Sequence, residues 1–132
     1  MEIDILQTGL QLTQYQSSSD CKLSNFDLPS LIATMKRSYS WANGELNALI
    51  LLKNRHEQII LTAIHEGTEI ESFQSNDSVS FRIIEGNLMF HVLKGSFPLK
   101  KDQLMILKEH IEYRLTSEEE TIFLLTISND IT

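Results

Sequence analysis

Residues 79–93 run Val-Ser-Phe-Arg-Ile-Ile-Glu-Gly-Asn-Leu-Met-Phe-His-Val-Leu. In the first half of this stretch, Val79, Phe81 and Ile83 alternate with polar residues. Alternation with a period of two is typical of a strand that turns one face to a core and the other to solvent. Glu85-Gly86-Asn87 then gives a turn signal before the next apolar run. The stretch therefore predicts two consecutive β-strands.

The second of these strands is apolar on both faces. Leu88, Phe90 and Val92 share one face, and Met89 and Leu93 place apolar side chains on the other. A strand without a polar face is expected to be covered on both sides. We therefore predict a second covered surface here, such as a contact between two copies of the chain.

Outward from this stretch, the chain is a regular series of short apolar runs. The runs are separated by polar turns every eight to ten residues or so, and they lie at 48–52, 58–64, 79–84, 88–93, 104–107, 111–115 and 121–127. Short strands at this spacing indicate an all-β sandwich or barrel. No helical pattern of ten or more residues interrupts the series, which argues against an α/β fold. Residues 46–128 are predicted to form the barrel.

Residues 1–45 have a different, more polar texture. Residues 2–6 could form a short strand, and residues 11–20 are rich in Gln, Ser and Thr and are predicted to be a loop. Apolar residues recur at three- and four-residue spacing over residues 28–37, after Asp27, which predicts a short amphipathic helix docked on the barrel. With 132 residues, the chain has the usual length of one domain, and we expect residues 1–132 to form a single one.

The barrel region resembles the small single-domain cupins of the RmlC-like superfamily. The resemblance rests on five stretches: Gly67 to Ile70, Val79 to Gly86 (which ends in a Val-Leu-Glu-Gly-like turn), Leu88 to Val92, Leu99 to Ile106, and Thr121 to Ile127. It implies a cupin-type double-stranded β-helix, or jelly-roll, barrel with a short N-terminal helix. Cupins have many activities and some have none, so the resemblance implies a fold and not a function.

The metal-ligand positions that the resemblance implies carry other residues in this chain. Metal-binding cupins use two His and one Glu from a first motif and one His from a second. Counted back from Gly86, the Glu position falls on Val79, and the two His positions fall within 73–76, which contains no His. The second-motif His position falls on Tyr113. We therefore expect neither a metal nor another cofactor. The usual Gly-Asp turn also differs, because it is Lys101-Asp102 here.

Charge and cysteine content limit the partners. The net charge is −7, with 18 acidic and 11 scattered basic residues, so neither nucleic acid nor an anionic membrane surface is an expected partner. One cysteine, Cys21, excludes an intrachain disulfide and suits a reducing compartment. We find no signal peptide pattern and no apolar run long enough to span a bilayer, so we expect a cytoplasmic protein.

A pocket inside the barrel is one place where this chain could bind a ligand. Its candidate lining residues are Phe73, Val79, Phe81, Tyr113 and Trp41, which could hold a small apolar or aromatic molecule. The alternative is that these side chains simply fill the barrel. The four histidines are not spaced as a metal cluster, and no Cys or Ser pattern predicts a nucleophile, so no residue is assigned a catalytic role.

Three hypotheses follow, in order of preference. The first is a non-catalytic binding or assembly module that forms a homodimer. The second is a metal-independent cupin enzyme, an isomerase or lyase of a small acid or sugar, with Tyr113 as general acid near Glu69 or Glu71. The third is a small-molecule sensor that uses the barrel pocket. The residues favour a protein that is not an enzyme.

Overall fold

The computed structural model describes the backbone of residues 12–14 and all of residues 23–71 and 77–129. The ten strands are β1 (Leu12–Gln14), β2 (Asn47–Lys53), β3 (Glu57–Ile64), β4 (Glu69–Glu71), β5 (Ser78–Glu85), β6 (Asn87–Val92), β7 (Gly95–Lys100), β8 (Leu104–Leu107), β9 (Arg114–Ser117) and β10 (Thr121–Ser128). The two helices are α1 (Leu28–Lys36) and α2 (Tyr39–Ala42). The predicted all-β class is confirmed.

The strands form two sheets. The larger sheet has the order β1-β2-β3-β10-β5-β8, and the smaller has the order β4-β9-β6-β7. Every pairing is antiparallel except that of β1 with β2. The alternation that predicted β5 is confirmed, because Val79, Phe81 and Ile83 are buried and Arg82 is exposed.

The core between the two sheets is apolar. It includes Phe81 and Phe123 from the larger sheet and Leu88, Phe90 and Leu115 from the smaller one, all at most 1% exposed. A second apolar cluster lies on the opposite face of the larger sheet. There Leu31, Ile32 and Met35 of α1 pack on alternate residues of β2, β3 and β10. The predicted docking of the helix on the barrel is therefore confirmed.

The start of α1 follows the sequence signals in part. Pro29 lies in the first turn, where its missing N–H leaves no bond unmade. Asp27 is the N-cap residue by position, but its carboxylate caps no backbone amide and instead accepts a hydrogen bond from Ser30 Oγ at 2.8 Å. Asn47 Nδ2 donates to Ser38 Oγ at 2.8 Å, which links the α1–α2 corner to β2.

Three local predictions differ from the structure. Part of the predicted loop at residues 11–20 is strand β1, because β2 offers it a parallel partner that composition does not reveal. None of the predicted apolar runs covers residues 95–100, yet they form strand β7. Glycine and proline are tolerated there because β7 is the edge of its sheet. In the 111–115 run, strand β9 begins only at Arg114.

The predicted second apolar face of the 88–93 strand is also wrong in detail. β6 ends at Val92, and Leu93 lies beyond it in the turn to β7, fully exposed. The outer face of β6 therefore combines half-buried Met89 with His91. His91 Nδ1 lies 2.8 Å from Ser96 Oγ, and its Nε2 lies 3.2 Å from Thr116 Oγ1. Hydrogen bonds, and not an apolar contact, organise this face.

Candidate functional site

The structure brings three of the five predicted pocket residues together inside the barrel. Val79 and Phe81 project inward from β5, and Tyr113 enters the same core just before β9. The ring centroids of Phe81 and Tyr113 are 5.6 Å apart, with an interplanar angle of 81°. Phe81 also contacts Phe90 edge-on, with centroids 4.8 Å apart. The edge-to-face arrangement is the favourable geometry for aromatic pairs, so these rings occupy the space between the sheets.

The other two predicted pocket residues are not placed with these three. Phe73 lies outside the described residues. Trp41 belongs to the cluster between α1 and the outer face of the larger sheet, and the barrel wall separates it from Phe81.

Trp41 is instead stacked on His65. The two rings are 3.5 Å apart at an interplanar angle of 18°, and His65 Nε2 lies 3.1 Å from the Trp41 carbonyl oxygen. Because a carbonyl only accepts, Nε2 carries the proton in this contact. Ser38 caps α2 by accepting a hydrogen bond from the Trp41 amide, which fixes the indole above the end of β3. This partnership between residues 24 positions apart has no sequence signature.

We expect the His65→Ala substitution to lower the free energy of unfolding by about 1–2 kcal/mol, because one hydrogen bond and one ring stack are lost. Trp41 is the only tryptophan, so its fluorescence reports the contact directly and should move to longer wavelength as the indole gains water. Chemical denaturation followed by fluorescence and circular dichroism measures both effects. His56→Ala is the matched control, since His56 is exposed. Equal losses in the two variants would contradict the stacking account.

A polar network closes the barrel beside this stack. Ser117 Oγ donates to the His65 carbonyl at 2.6 Å and accepts from the Thr68 amide at 2.8 Å. Thr68 Oγ1 donates to the same His65 carbonyl at 2.7 Å. These bonds satisfy backbone groups of the turn between β3 and β4 and join the end of β3, in the larger sheet, to β9 in the smaller sheet, so the network has a structural role.

The turn after β5, which carries the cupin resemblance, requires its glycine. Gly86 has φ +88°, and an added Cβ would collide with the Glu120 carbonyl oxygen and lie 2.7 Å from the Thr121 Cα. Thr121 Oγ1 donates toward the Asn87 carbonyl at 3.0 Å and accepts from the Asn87 amide at 3.2 Å. The motif therefore marks the place where the β5–β6 turn packs against the backbone that leads into β10.

Lys36, at the end of α1, bridges this corner of the barrel. Its Nζ lies 3.0 Å from Glu120 Oε2 and 3.4 Å from Glu85 Oε2. The hydrogen bond to Glu120 raises the pKa of Lys36; partial burial opposes this shift, and the charges of Glu120 and Glu85 add to it. The ion pairs hold α1 against the ends of β5 and β10.

The raised pKa of Lys36 predicts a pH dependence. A lysine whose pKa is higher in the folded chain stabilises the fold fully at neutral pH, and this contribution disappears as the pH rises through its folded pKa. We expect Lys36→Met to lower stability by less than about 1 kcal/mol near neutral pH, because the group is partly exposed to solvent. The deficit should vanish in strong alkali. Thermal unfolding across the alkaline range checks this. Lys94→Met is the control, because Lys94 is exposed and forms no ion pair among the described residues. A deficit that grows with pH would contradict the assignment.

The barrel core holds one polar atom that the sequence did not single out. Thr62 is fully buried on β3, paired with Ala48 of β2 and Phe123 of β10, both of which also face the interior. Within the part of the chain that the structure describes, Thr62 Oγ1 has no hydrogen-bond partner. A buried hydroxyl without a partner costs free energy and so needs an explanation. In the sequence, the sign of this feature is a threonine, Thr62, at an inward-facing position of an otherwise apolar strand.

The groups required by the enzyme hypothesis do not meet. Ile70 is buried in the core with Tyr113, whereas its neighbours Glu69 and Glu71 are exposed on the opposite face of the smaller sheet. Glu69 Oε1 lies 3.5 Å from Arg114 Nη1 on that outer surface. A general acid at Tyr113 would therefore have neither carboxylate on its side of the sheet.

The described residues offer little that could bind a metal ion. Among residues 23–71 and 77–129, no three His, Cys, Asp or Glu side chains come together in a group suited to a metal ion. The position where the resemblance expects a Glu ligand is Val79, 7% exposed, and the second-motif His position is Tyr113, 5% exposed. Neither fits a divalent metal, because an alkyl group has no donor atom and a neutral phenol is a poor one. No helix among the described residues is long and apolar enough to cross a membrane.

Comparisons with known proteins identify the fold. A Klebsiella pneumoniae protein, an uncharacterized conserved protein with a double-stranded β-helix domain, is 17% identical. It matches with a TM-score of 0.64 over 86% of this chain and 89% of its own. An RmlC-like cupin from Shewanella frigidimarina is 17% identical, with a TM-score of 0.59 over 66% of this chain and 78% of its own. The cupin domain of an XRE family transcriptional regulator from Enterobacter cloacae is 14% identical, with a TM-score of 0.58 over 65% and 98%.

These likenesses give this chain the cupin fold, and the expected jelly-roll barrel with a short helix is confirmed. No family model matches the sequence. No curated protein matches it either. Identities this low carry the fold and leave the activity open.

Proposed function

We propose that this chain is a non-catalytic cupin-fold module that acts through binding and assembles as a homodimer. The observation that carries the proposal is the chemistry of the barrel interior. Val79 and Tyr113 occupy two of the positions where metal-binding cupins are expected to hold ligands. Both belong to the buried cluster that contains Phe81, and the Tyr113 ring contacts the Phe81 ring. An alkyl group at the first of these positions has no donor atom for a metal ion, and a neutral phenol at the second is a poor one.

The buried polar side chains support the same proposal. Among the residues described, those that are buried and polar are all neutral: Ser40, Asn47, Thr62, Ser117 and Thr121. The buried titratable side chain among the described residues is Tyr113, and acid–base catalysis inside the barrel would need a second such group close to the substrate. The acidic net charge of −7 and the single cysteine further support a cytoplasmic protein whose partners are neither nucleic acids nor anionic membranes.

Native mass spectrometry of the protein purified without added metal tests the proposal. We expect a metal-free dimer of two 15.1 kDa chains, unchanged after incubation with Mn²⁺, Fe²⁺ or Zn²⁺ and dialysis. One tightly held metal ion per chain would overturn the non-catalytic assignment, because the ligands would then lie elsewhere in the chain. A monomer at all accessible concentrations would overturn the assembly part of the proposal.

A small-molecule sensor is the second candidate, and the orphan hydroxyl of Thr62 favours it. A ligand with one polar atom could pair with Thr62 Oγ1 while its remainder contacts the apolar interior. The similar cupin domain of the Enterobacter regulator makes a sensing role a reasonable second candidate.

Thr62→Val separates the two candidates. Without a ligand, we expect the substitution to raise the free energy of unfolding by about 1 kcal/mol, because valine has nearly the same shape and removes an unpaired buried polar group. Thr121→Val is the matched control. That threonine is equally buried but hydrogen-bonded to the β5–β6 turn, so its loss should destabilise by about 1–3 kcal/mol. A lower melting temperature in Thr62→Val, together with loss of a copurified small molecule, would instead support the sensor.

A further inference from the structure

The outer face of the smaller sheet carries a histidine held between two hydroxyl groups. His91 projects from β6, with its Nδ1 2.8 Å from Ser96 Oγ of β7 and its Nε2 3.2 Å from Thr116 Oγ1 of β9. Ser96 lies directly opposite His91 in the β6–β7 register and is exposed, whereas His91 and Thr116 are half-buried. The three side chains therefore form a row across neighbouring strands, and the serine end of this row is open to solvent.

This row has the parts of an activated nucleophile. A serine hydroxyl becomes nucleophilic when a base within hydrogen-bond reach accepts its proton and a third group orients that base. A neutral imidazole has one nitrogen that donates and one that accepts. In the tautomer with the proton on Nε2, this nitrogen donates to Thr116 Oγ1, and Nδ1 accepts from the Ser96 hydroxyl. Ser96 is then the nucleophile, His91 the base and Thr116 the orienting group.

The hydroxyl partners also suit the charged form of His91. A hydroxyl oxygen accepts hydrogen bonds as well as donating them, so each partner can accept when both ring nitrogens carry protons. The imidazolium that forms when His91 takes the Ser96 proton therefore keeps its hydrogen bond to Thr116. Proton transfer from Ser96 to His91 leaves no nitrogen of the ring without a partner.

The neighbouring residue pair on this face is apolar. Met89 lies opposite Pro98 in the β6–β7 register, two residues along each strand from His91 and Ser96. Residues two apart on a strand share a face of the sheet, so Met89 and Pro98 lie beside the Ser96 hydroxyl. Met89 is half-buried and Pro98 is exposed. An uncharged acyl or aryl group can rest on this pair while its carbonyl carbon meets Ser96.

We propose that Ser96 is an acylation site that takes its acyl group from an uncharged activated ester, with His91 as the base. Ser96 Oγ forms a bond to the carbonyl carbon of the ester, and the hydroxyl proton passes to His91 Nδ1. The bond from that carbon to the leaving oxygen breaks, and the leaving group keeps the electron pair and takes the proton from His91. The products are an O-acylserine and a free alcohol or phenol, so nothing is oxidised or reduced. One covalent modification is not turnover, and it does not depend on the proposed dimer.

Reaction of the whole chain with p-nitrophenyl acetate tests the proposal. Peptide mapping by tandem mass spectrometry locates the acetyl group over time at neutral pH, and among the serines we expect Ser96 to be acetylated first. His91→Gln keeps a polar side chain but removes the base, so acetylation of Ser96 should slow by about 100-fold or more. Melting curves establish that the variant is folded.

Ser30 is the internal control for exposure. It is also exposed, but its hydroxyl donates to the Asp27 carboxylate at 2.8 Å, and a carboxylate is a weaker base than an imidazole. Ser30 should therefore react much more slowly than Ser96 in the folded chain. In concentrated urea, where the contact between His91 and Ser96 is lost, the two serines should react at similar rates.

Thr116 is a positioning residue, and two variants test this role. Thr116→Val removes the hydroxyl that orients the imidazole and should slow acetylation of Ser96 several-fold. Thr116→Ser keeps a hydroxyl and should restore the rate. A rate that follows the hydroxyl, and not the melting temperature, supports orientation of His91. Equal rates in the two variants would overturn the role of Thr116.

The outcomes separate this inference from the proposed function. Equal acetylation of Ser30 and Ser96 in the folded chain, a Ser96 rate unchanged in His91→Gln, or an acetyl group on His91 with none on Ser96 would each overturn the acylation site. The assembly proposal would stand in all three cases. Release of nitrophenol beyond one equivalent per chain, abolished by Ser96→Ala, would support the reactive serine and overturn the non-catalytic assignment.

Discussion

Replacing Gly86 with alanine is expected to lower the free energy of unfolding by about 2–5 kcal/mol, which is the largest effect we expect of any change outside the core. Two causes add. The positive φ of Gly86 is a conformation that residues with a Cβ adopt only at a cost of about 1–2 kcal/mol. The new methyl group would also meet the backbone of Glu120 and Thr121, which cannot yield as a flexible side chain would.

Gly67→Ala is the control for this prediction. Gly67 has φ +82°, close to the +88° of Gly86, but a Cβ there meets nothing within 4 Å. In this variant the free energy of unfolding should fall only by the cost of placing a residue with a Cβ at positive φ, about 1–2 kcal/mol. Urea titration of both variants measures the difference. If the free energy of unfolding falls by the same amount in both variants, the turn after β5 does not pack closely against residues 120–121, and the account of Gly86 is wrong.

The second large effect is expected from Phe81→Ala. Phe81 is 1% exposed, and its ring contacts Phe90, Tyr113 and Phe123. Truncation of a fully buried phenylalanine costs about 3–5 kcal/mol, because the apolar contact is lost and a cavity remains. Phe97→Ala is the matched control. Phe97 is 49% exposed at the edge of its sheet, and its loss should cost about 1 kcal/mol.

Phe81→Ala also tests whether the barrel interior is filled. If the aromatic rings occupy the interior, the wild type should not bind benzene or indole, and the variant should gain binding because its new cavity is apolar. Ligand-induced shifts in melting temperature measure this. Binding of such molecules to the wild type, with affinity unchanged in the variant, would contradict the filled interior and support a pocket elsewhere.

Part of the barrel could be predicted because some of its strands, β5 above all, alternate between inward and outward side chains. Val79, Phe81 and Ile83 carry both the strand and its inward face in their spacing, and the turn at Gly86 carries the cupin resemblance. Val79, Phe81 and Tyr113 were also grouped from the sequence, and the structure places all three in one core cluster. Both predictions use short-range patterns that survive in a single sequence.

The remaining features depend on neighbours that are distant in the chain. Trp41 was grouped with the pocket residues because aromatic character alone does not reveal which side of a sheet a residue occupies. β7 was missed because Gly95, Ser96 and Pro98 leave no apolar run there, and its position at the sheet edge is what tolerates the glycine and the proline. The unpaired hydroxyl of Thr62 is invisible in sequence, because satisfaction of a hydrogen bond is a property of the packed core.

The two apolar clusters have a consequence for how the sequence can vary. On an ordinary barrel strand, every second position faces water and accepts many residue types. On β3, residues 60–64 are all fully buried, because one set of side chains faces the barrel core and the next meets the helix side of the sheet. No position in residues 60–64 is therefore expected to tolerate many residue types. In related sequences that differ elsewhere, these five residues should vary least.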